Sequence, residues 1–245
     1  MKRINSEVEE YIRFSEMTLE ASLLHQKVFP KYKNCLRGKS VAVFGAGQSL
    51  DQYAPLSDVV QMGVNGAFTC DKLALDFLFY QDYISRDRQD KINNYRLGKC
   101  KKFYGIHYMG GLEAVIPEFD ALKADAERYF FYDLPKHIFP FDFTYDLAAK
   151  PFITYSSTIF IPLQFALYTH PDKLYIVGCD CANTGHFKNC DTFQPCPSYK
   201  NMDGLENILS GWKKFKRFQE AFYPDIEVIS VNPVGLKGMF KDLYQ

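Results

Sequence analysis

The chain has 245 residues, of which 47% are hydrophobic and 24% charged, with a formal net charge of zero. That length suits one large domain, with or without a helical appendage, and the composition is that of an ordinary globular protein rather than a disordered one. Zero net charge gives no ground for binding nucleic acid or an acidic membrane surface, and no run reaches the roughly twenty apolar residues of a membrane span.

The N-terminal residues are charged and interrupted, so no secretory leader is expected. Seven irregularly spaced cysteines fit a reducing compartment, and a cytoplasmic location is the default expectation. Residues 5–30 set Val8, Ile12, Phe14, Leu19, Leu23 and Leu24 among acids, which predicts an amphipathic helix stopped by Pro30. This extension, residues 1–36, would pack on the main domain or on another subunit, so a homo-oligomer is one expectation. From residue 37 to 245, short apolar runs alternate with helical stretches. Strands are expected at 40–45, 59–64, 75–80, 101–104, 128–132, 173–178 and 226–231. The alternation predicts an α/β fold with a Rossmann-like, mostly parallel, doubly wound sheet.

The first strand, Val41-Ala42-Val43-Phe44, breaks into Gly45-Ala46-Gly47-Gln48-Ser49. Such small side chains predict a turn with uncovered amides, able to press against phosphate. Two familiar nucleotide motifs fail on detail. A dinucleotide fingerprint needs a third glycine where Leu50 stands, and an acid about twenty residues after the glycines, where the second strand ends instead in Asn65. A P-loop needs a glycine where Lys33 precedes Gly38-Lys39-Ser40. The other strand ends are polar too: Gln81-Asp82 after the third and Gly178-Cys179-Asp180 after the sixth. In a doubly wound sheet these ends converge on one crevice. A helix expected from Thr158 to Tyr168 opens on Ser156-Ser157, where either serine would serve as N-cap or meet an anionic ligand.

Taken in order, these blocks resemble the bacterial sialyltransferases of glycosyltransferase family 42 and related surface-glycan transferases. Gly45-Ala46-Gly47-Gln48-Ser49-Leu50 is similar to the family's Gly-Asn-Gly-Pro-Ser-Leu turn, and Val64-Asn65 to its Cys-Asn. Phe79-Tyr80-Gln81 is similar to its Phe-Tyr-Asn, Ser156 to the serine that opens its central helix, and residues 174–180 to its strand ending Ser-Gly-Ile-Asp. Val231-Asn232-Pro233 falls on its late Cys-Pro turn. The resemblance implies metal-independent transfer of a sugar, sialic acid or a related acidic one, from a CMP-activated donor to a lipopolysaccharide or capsule glycan. It implies no cofactor, and the chain has no Asp-x-Asp pair of the kind that holds a metal on a sugar diphosphate. The donor would lie on Gly45, Ala46, Gly47, Gln48, Ser49, Asn65, Gln81, Asp82, Ser156, Ser157, Gly178 and Cys179. The chain departs from the family at three points. Ile153 stands for an arginine, Ala182 and Lys188 for phosphate-binding tyrosines, and Ser198 for the catalytic histidine before Tyr199-Lys200-Asn201.

His186, in the loop after the sixth strand, is the first candidate for a substitute base, able near pH 7 to take a proton from an acceptor hydroxyl, or else an ordinary exposed loop histidine. Lys188 would hold the leaving phosphate. Asp180 is a second candidate base, or else orients its loop through backbone amides. Cys179, Cys181, Cys190 and Cys196 lack the paired spacing of a zinc knuckle and read as buried thiols. Residues 182–204 resemble a lid, a helix is expected over 205–222 with Trp212 inward, and the tail 234–241 would dock an apolar turn or touch a membrane surface weakly. Two rival readings stay open. The Gly-x-Gly-x-Ser-Leu turn also resembles pterin diphosphokinase-like proteins, which use ATP and magnesium and would call on Asp82 and Asp180. The third reading is a nucleotide-binding accessory protein without a base.

Overall fold

The computed structural model describes residues 2–81, 86–109, 113–115, 126–133, 143–182, 185–190 and 202–245. Its elements in chain order are α1 (Lys2–Val28), β1 (Ser40–Phe44), β2 (Val59–Val64), β3 (Phe77–Tyr80), α2 (Arg86–Asn94), β4 (Lys101–Met109), β5 (Glu113–Val115), β6 (Ala126–Asp133), β7 (Phe152–Thr154), α3 (Phe160–Thr169), β8 (Lys173–Val177), α4 (Met202–Phe222), β9 (Glu227–Val231) and β10 (Lys241–Leu243). The strands form one sheet in the order β10-β9-β8-β1-β2-β3-β4-β6-β7, with β5 added to β4. Every described pairing is parallel except β4–β5. The fold is Rossmann-like α/β.

The period of two along a strand divides the core. Val41 and Val43 of β1 face one side, where they join Met62, Phe79 and Phe103 beneath α1, α3 and α4. Ala42 and Phe44 face the other, with Leu78, Tyr80, Tyr104 and Ile92 of α2. Covered on both faces, the strand reads as a nearly unbroken apolar run, as parallel strands do. All ten residues of α3 are buried, because this helix crosses beneath the sheet, against β1, β2 and β7.

The order of strands sets the position of the site. From β1 the chain winds outward through β2, β3, β4 and β6 to β7. The α3 crossover then returns it to the opposite edge of β1, where Ser40–Phe44 pairs with Lys173–Val177 of β8. The winding reverses there, and the segments leaving β1 and β8 lie side by side at the carboxyl ends of the strands, the position where ligands bind in open α/β sheets.

Three strands lie where none was expected. β5 and β7 are three residues each, and the tail extends past its buried Leu236 into Lys241–Leu243, which pairs with β9 at the sheet edge. The helix expected at Thr158 begins at Phe160, so Pro162 stands third in it, where a missing N–H costs no helical bond. No helix among the described residues is long and apolar enough to cross a membrane.

Candidate functional site

The turn after β1 is zipped to the segment after β8. The Gly45 N–H donates to the Val177 carbonyl and the Gly47 N–H to the Gly178 carbonyl, each at 2.8 Å. The Ser49 N–H donates to one Asp180 carboxylate oxygen at 3.0 Å, and its hydroxyl donates to the other. These contacts correct the expectation of uncovered amides at Gly45, Gly47 and Ser49. The glycine amides are taken by neighbouring backbone carbonyls, and the Ser49 amide by an anion from within the chain, Asp180. Two glycines are required by close approach. A Cβ on Gly47 would lie 2.6 Å from the Asp180 carboxyl carbon, and one on Gly45 would lie 2.4 Å from the Gly178 oxygen.

His186 closes the other side of the turn. It pairs with Gly47 in an antiparallel bridge, the Phe187 N–H donates to the Ala46 carbonyl at 3.1 Å, and the Lys188 N–H reaches the Asp51 carboxylate at 3.1 Å. The buried Phe187 ring anchors this segment, so the exposed side chains of His186 and Lys188 stand on a backbone held against the turn. Partial burial lowers the His186 imidazole below its ordinary value, and the nearby Asp180 carboxylate opposes that shift. The ring is therefore neutral near pH 7 and able to accept a proton. Asp180 is itself 6% exposed, with both oxygens engaged by Ser49. Of its two expected roles, orienting the loop is the one these bonds describe.

A second polar group forms along β2, β3 and the approach to α3. The Asn65 side-chain amide donates to the Thr158 hydroxyl at 3.3 Å, Thr158 donates to the Gln81 side-chain oxygen at 2.9 Å, and the Gln81 N–H donates to the Asn65 Oδ1 at 3.2 Å. The ring closes without using Gln81 Nε2, which is buried with no hydrogen-bond partner among the described residues. Buried amide donors are rarely left over. Thr158 escaped the sequence reading because it was assigned to the helix itself; a polar residue just ahead of Ile159-Phe160 was the available signal.

Ser156 belongs to a third group. Its N–H donates to Asp133 at 2.7 Å, as does the Thr154 hydroxyl at 2.8 Å, and its own hydroxyl accepts from the Asn207 amide at 2.8 Å. This corrects the capping role expected of Ser156 or Ser157: the residue ahead of α3 is Ile159, with no side-chain cap. Left-handed backbone recurs at several strand ends along the same edge. Asn65, Ser156, Cys181 and Asn232 hold positive φ of 41°, 56°, 46° and 47° at or just past the ends of β2, β7, β8 and β9. Asn adopts this conformation readily, whereas Ser156 and Cys181 are held in it by their surroundings; five other non-glycine positions of positive φ lie elsewhere among the described residues.

Cys179, Cys181 and Cys190 are free thiols, and burial holds Cys179 well above its ordinary value and pushes Cys181 up to about 12. Among the described residues no three His, Cys, Asp or Glu side chains are grouped to hold a metal ion. Asp82, Cys196, Ser198 and the stretch 191–201 of the expected lid lie outside the described residues.

No protein-family profile and no curated protein sequence matches the chain. Two solved structures are similar to it. One is the sialyltransferase CstII from Campylobacter jejuni in complex with the substrate analogue CMP-3FNeuAc, with 13% identity, a TM-score of 0.49 and coverage of 83% of this chain and 85% of that one. The other is a tyrosine-to-phenylalanine variant of the sialyltransferase Cst-II in complex with CMP, with 16% identity, a TM-score of 0.47 and coverage of 78% and 80%.

Proposed function

We propose that the chain is a metal-independent glycosyltransferase that moves an acidic sugar, sialic acid or a relative, from a CMP-activated donor to a bacterial surface glycan. The observation that carries this reading is the placement of the Gly45–Ser49 turn, His186 and the Asn65–Gln81–Thr158 ring at the carboxyl ends of neighbouring strands beside the switch point, where nucleotides bind in open α/β sheets. The sequence blocks similar to family 42 fall on the same strand ends.

In this mechanism the unused Gln81 amide donor and Asn65 bind the cytidine monophosphate portion. Lys188 faces the phosphate as a mobile cation, standing in for tyrosine hydroxyls. His186, neutral at pH 7, takes the acceptor hydroxyl proton as that oxygen bonds to the anomeric carbon, while the bond from that carbon to the phosphate oxygen breaks and CMP departs. Asp180 does not exchange this proton. It fixes the turn through Ser49 and stabilises the imidazolium that forms.

A thermal-shift screen with CMP, CDP, UDP and ATP, with and without magnesium, tests the donor class. CMP should stabilise the protein without metal; a response to ATP that requires magnesium would instead favour the diphosphokinase-like reading. Hydrolysis of a CMP-sugar that disappears in His186→Ala, with CMP binding retained, separates an enzyme from a binding protein.

A further inference from the structure

Asp133 is the last residue of β6, paired across the sheet with Thr154 of β7. The four residues before it, Tyr129 to Tyr132, are buried, and Asp133 emerges exposed at the carboxyl end of the strand. Its hydrogen bonds fall on one oxygen only. Oδ1 accepts the Thr154 hydroxyl at 2.8 Å and the Ser156 N–H at 2.7 Å. These two bonds account for the structural work of the side chain, because they pin a serine that holds a left-handed φ of 56°. Oδ2 has no hydrogen-bond or ionic partner among the described residues. An asparagine would hold Thr154 and Ser156 equally well through its single carbonyl oxygen, without a charge. The carboxylate therefore leaves one acceptor over, on the same strand-end edge as Asn65 and Gln81.

That acceptor lies near the polar ring assigned to the nucleotide. Ser156 and Thr158 are two residues apart, so their Cα atoms are separated by about 7 Å at most. Thr158 in turn is bonded to Gln81 and Asn65. A carboxylate oxygen can only accept, so it selects O–H and N–H groups and repels phosphate and carboxylate. A sugar carried on a nucleotide presents such donors beyond its phosphate. We propose that Asp133 is a specificity-determining residue for the donor, its Oδ2 accepting a hydroxyl or acylamino N–H of the sugar that CMP carries. The assignment rests on the CMP-donor reading above and divides the donor between two groups. The Asn65–Gln81–Thr158 ring holds the nucleotide, Asp133 holds the sugar, and the sugar's own carboxylate lies turned away from Asp133.

Calorimetric titration of the full chain with CMP and with the substrate analogue CMP-3FNeuAc tests this. The wild-type chain should bind CMP-3FNeuAc more tightly than CMP. Asp133→Asn keeps Oδ1 for Thr154 and Ser156 but turns the open acceptor into a donor. It should retain the wild-type melting temperature and CMP affinity, and lose about tenfold or more of the CMP-3FNeuAc affinity. Thr154→Val removes one Oδ1 bond and leaves Oδ2 as it is, so it should melt at a lower temperature with the preference for CMP-3FNeuAc retained. A merely structural Asp133 would not separate the two variants in this way. An Asp133→Asn variant that keeps the preference, or that loses CMP and CMP-3FNeuAc affinity alike, overturns the assignment and leaves the donor reading standing. A wild-type chain that binds CMP but shows no preference for CMP-3FNeuAc does the same. A wild-type chain that binds neither compound overturns the donor reading, and the assignment with it.

Discussion

In the proposed mechanism His186 exchanges a proton and Asp180 holds the group that carries it in place. The imidazole must be neutral to act, so the rate should rise with pH through a midpoint below 6.5, in line with the lowering of this group by burial. The Asp180 charge raises that midpoint. Asp180→Asn should therefore move the acid limb of the kcat/KM profile to lower pH, and an unshifted limb would detach Asp180 from the histidine. His186→Ala should cost about a hundredfold to ten-thousandfold in transfer rate with an unchanged melting temperature. Gly47→Ala forces a methyl group against the Asp180 carboxyl carbon and should cost about 1–3 kcal/mol of stability, together with the CMP-induced thermal shift. The positions of these residues follow from the sequence, because a glycine pair after a Val-Ala-Val-Phe run and an acid after a second apolar run mark strand ends. Their bonds do not. Ser49 finds Asp180 only because β8 lies beside β1 in register, and no local pattern states which strands become neighbours.

At the scale of elements, α1 is tied to the sheet by a buried imidazole. His25 Nδ1 lies 2.8 Å from the Leu147 carbonyl and 3.0 Å from that of Lys150, and its Nε2 accepts the Phe130 N–H at 2.8 Å. This pattern requires the neutral ring with its proton on Nδ1, and burial lowers its pKa to about 4. The sign follows from linkage. Above pH 6.5 both folded and unfolded chains hold the ring neutral, and between 6.5 and 4 only the unfolded chain takes the proton, so stability falls as pH drops. The loss approaches about 3 kcal/mol by pH 4. Urea midpoints at pH 7 and pH 5 should differ more for the wild-type chain than for His25→Asn, and equal differences would remove His25 from the acid sensitivity. The helix was legible from its apolar spacing, whereas its histidine gave no such sign. Short strands were also hidden. β7 is three residues inside the run Pro151–Tyr155, too brief for alternation to show, and β10 carries Lys241 and Asp242 at an edge where polar side chains are tolerated.

For the molecule as a whole, the sheet order was within reach of the sequence only as a class. Alternating apolar runs and helices state a parallel sheet, but the jump from β7 back to β8 is a choice of topology. That jump sets the order in which the protein can be built. β1 emerges early in synthesis with one edge, Val41 to Phe44, ready for β2, yet its other edge waits for β8. Roughly 130 residues separate the two partners, so a ribosome adding about 5–20 residues per second leaves that edge open for about 7 to 27 seconds. The glycine turn, moreover, has no Val177 or Gly178 carbonyl to receive its amides, and Ser49 no Asp180, until the same moment. Nascent chains stalled before residue 173 should accordingly be prone to clump and responsive to chaperones. The crevice proposed for catalysis would be among the last parts of the protein to take shape.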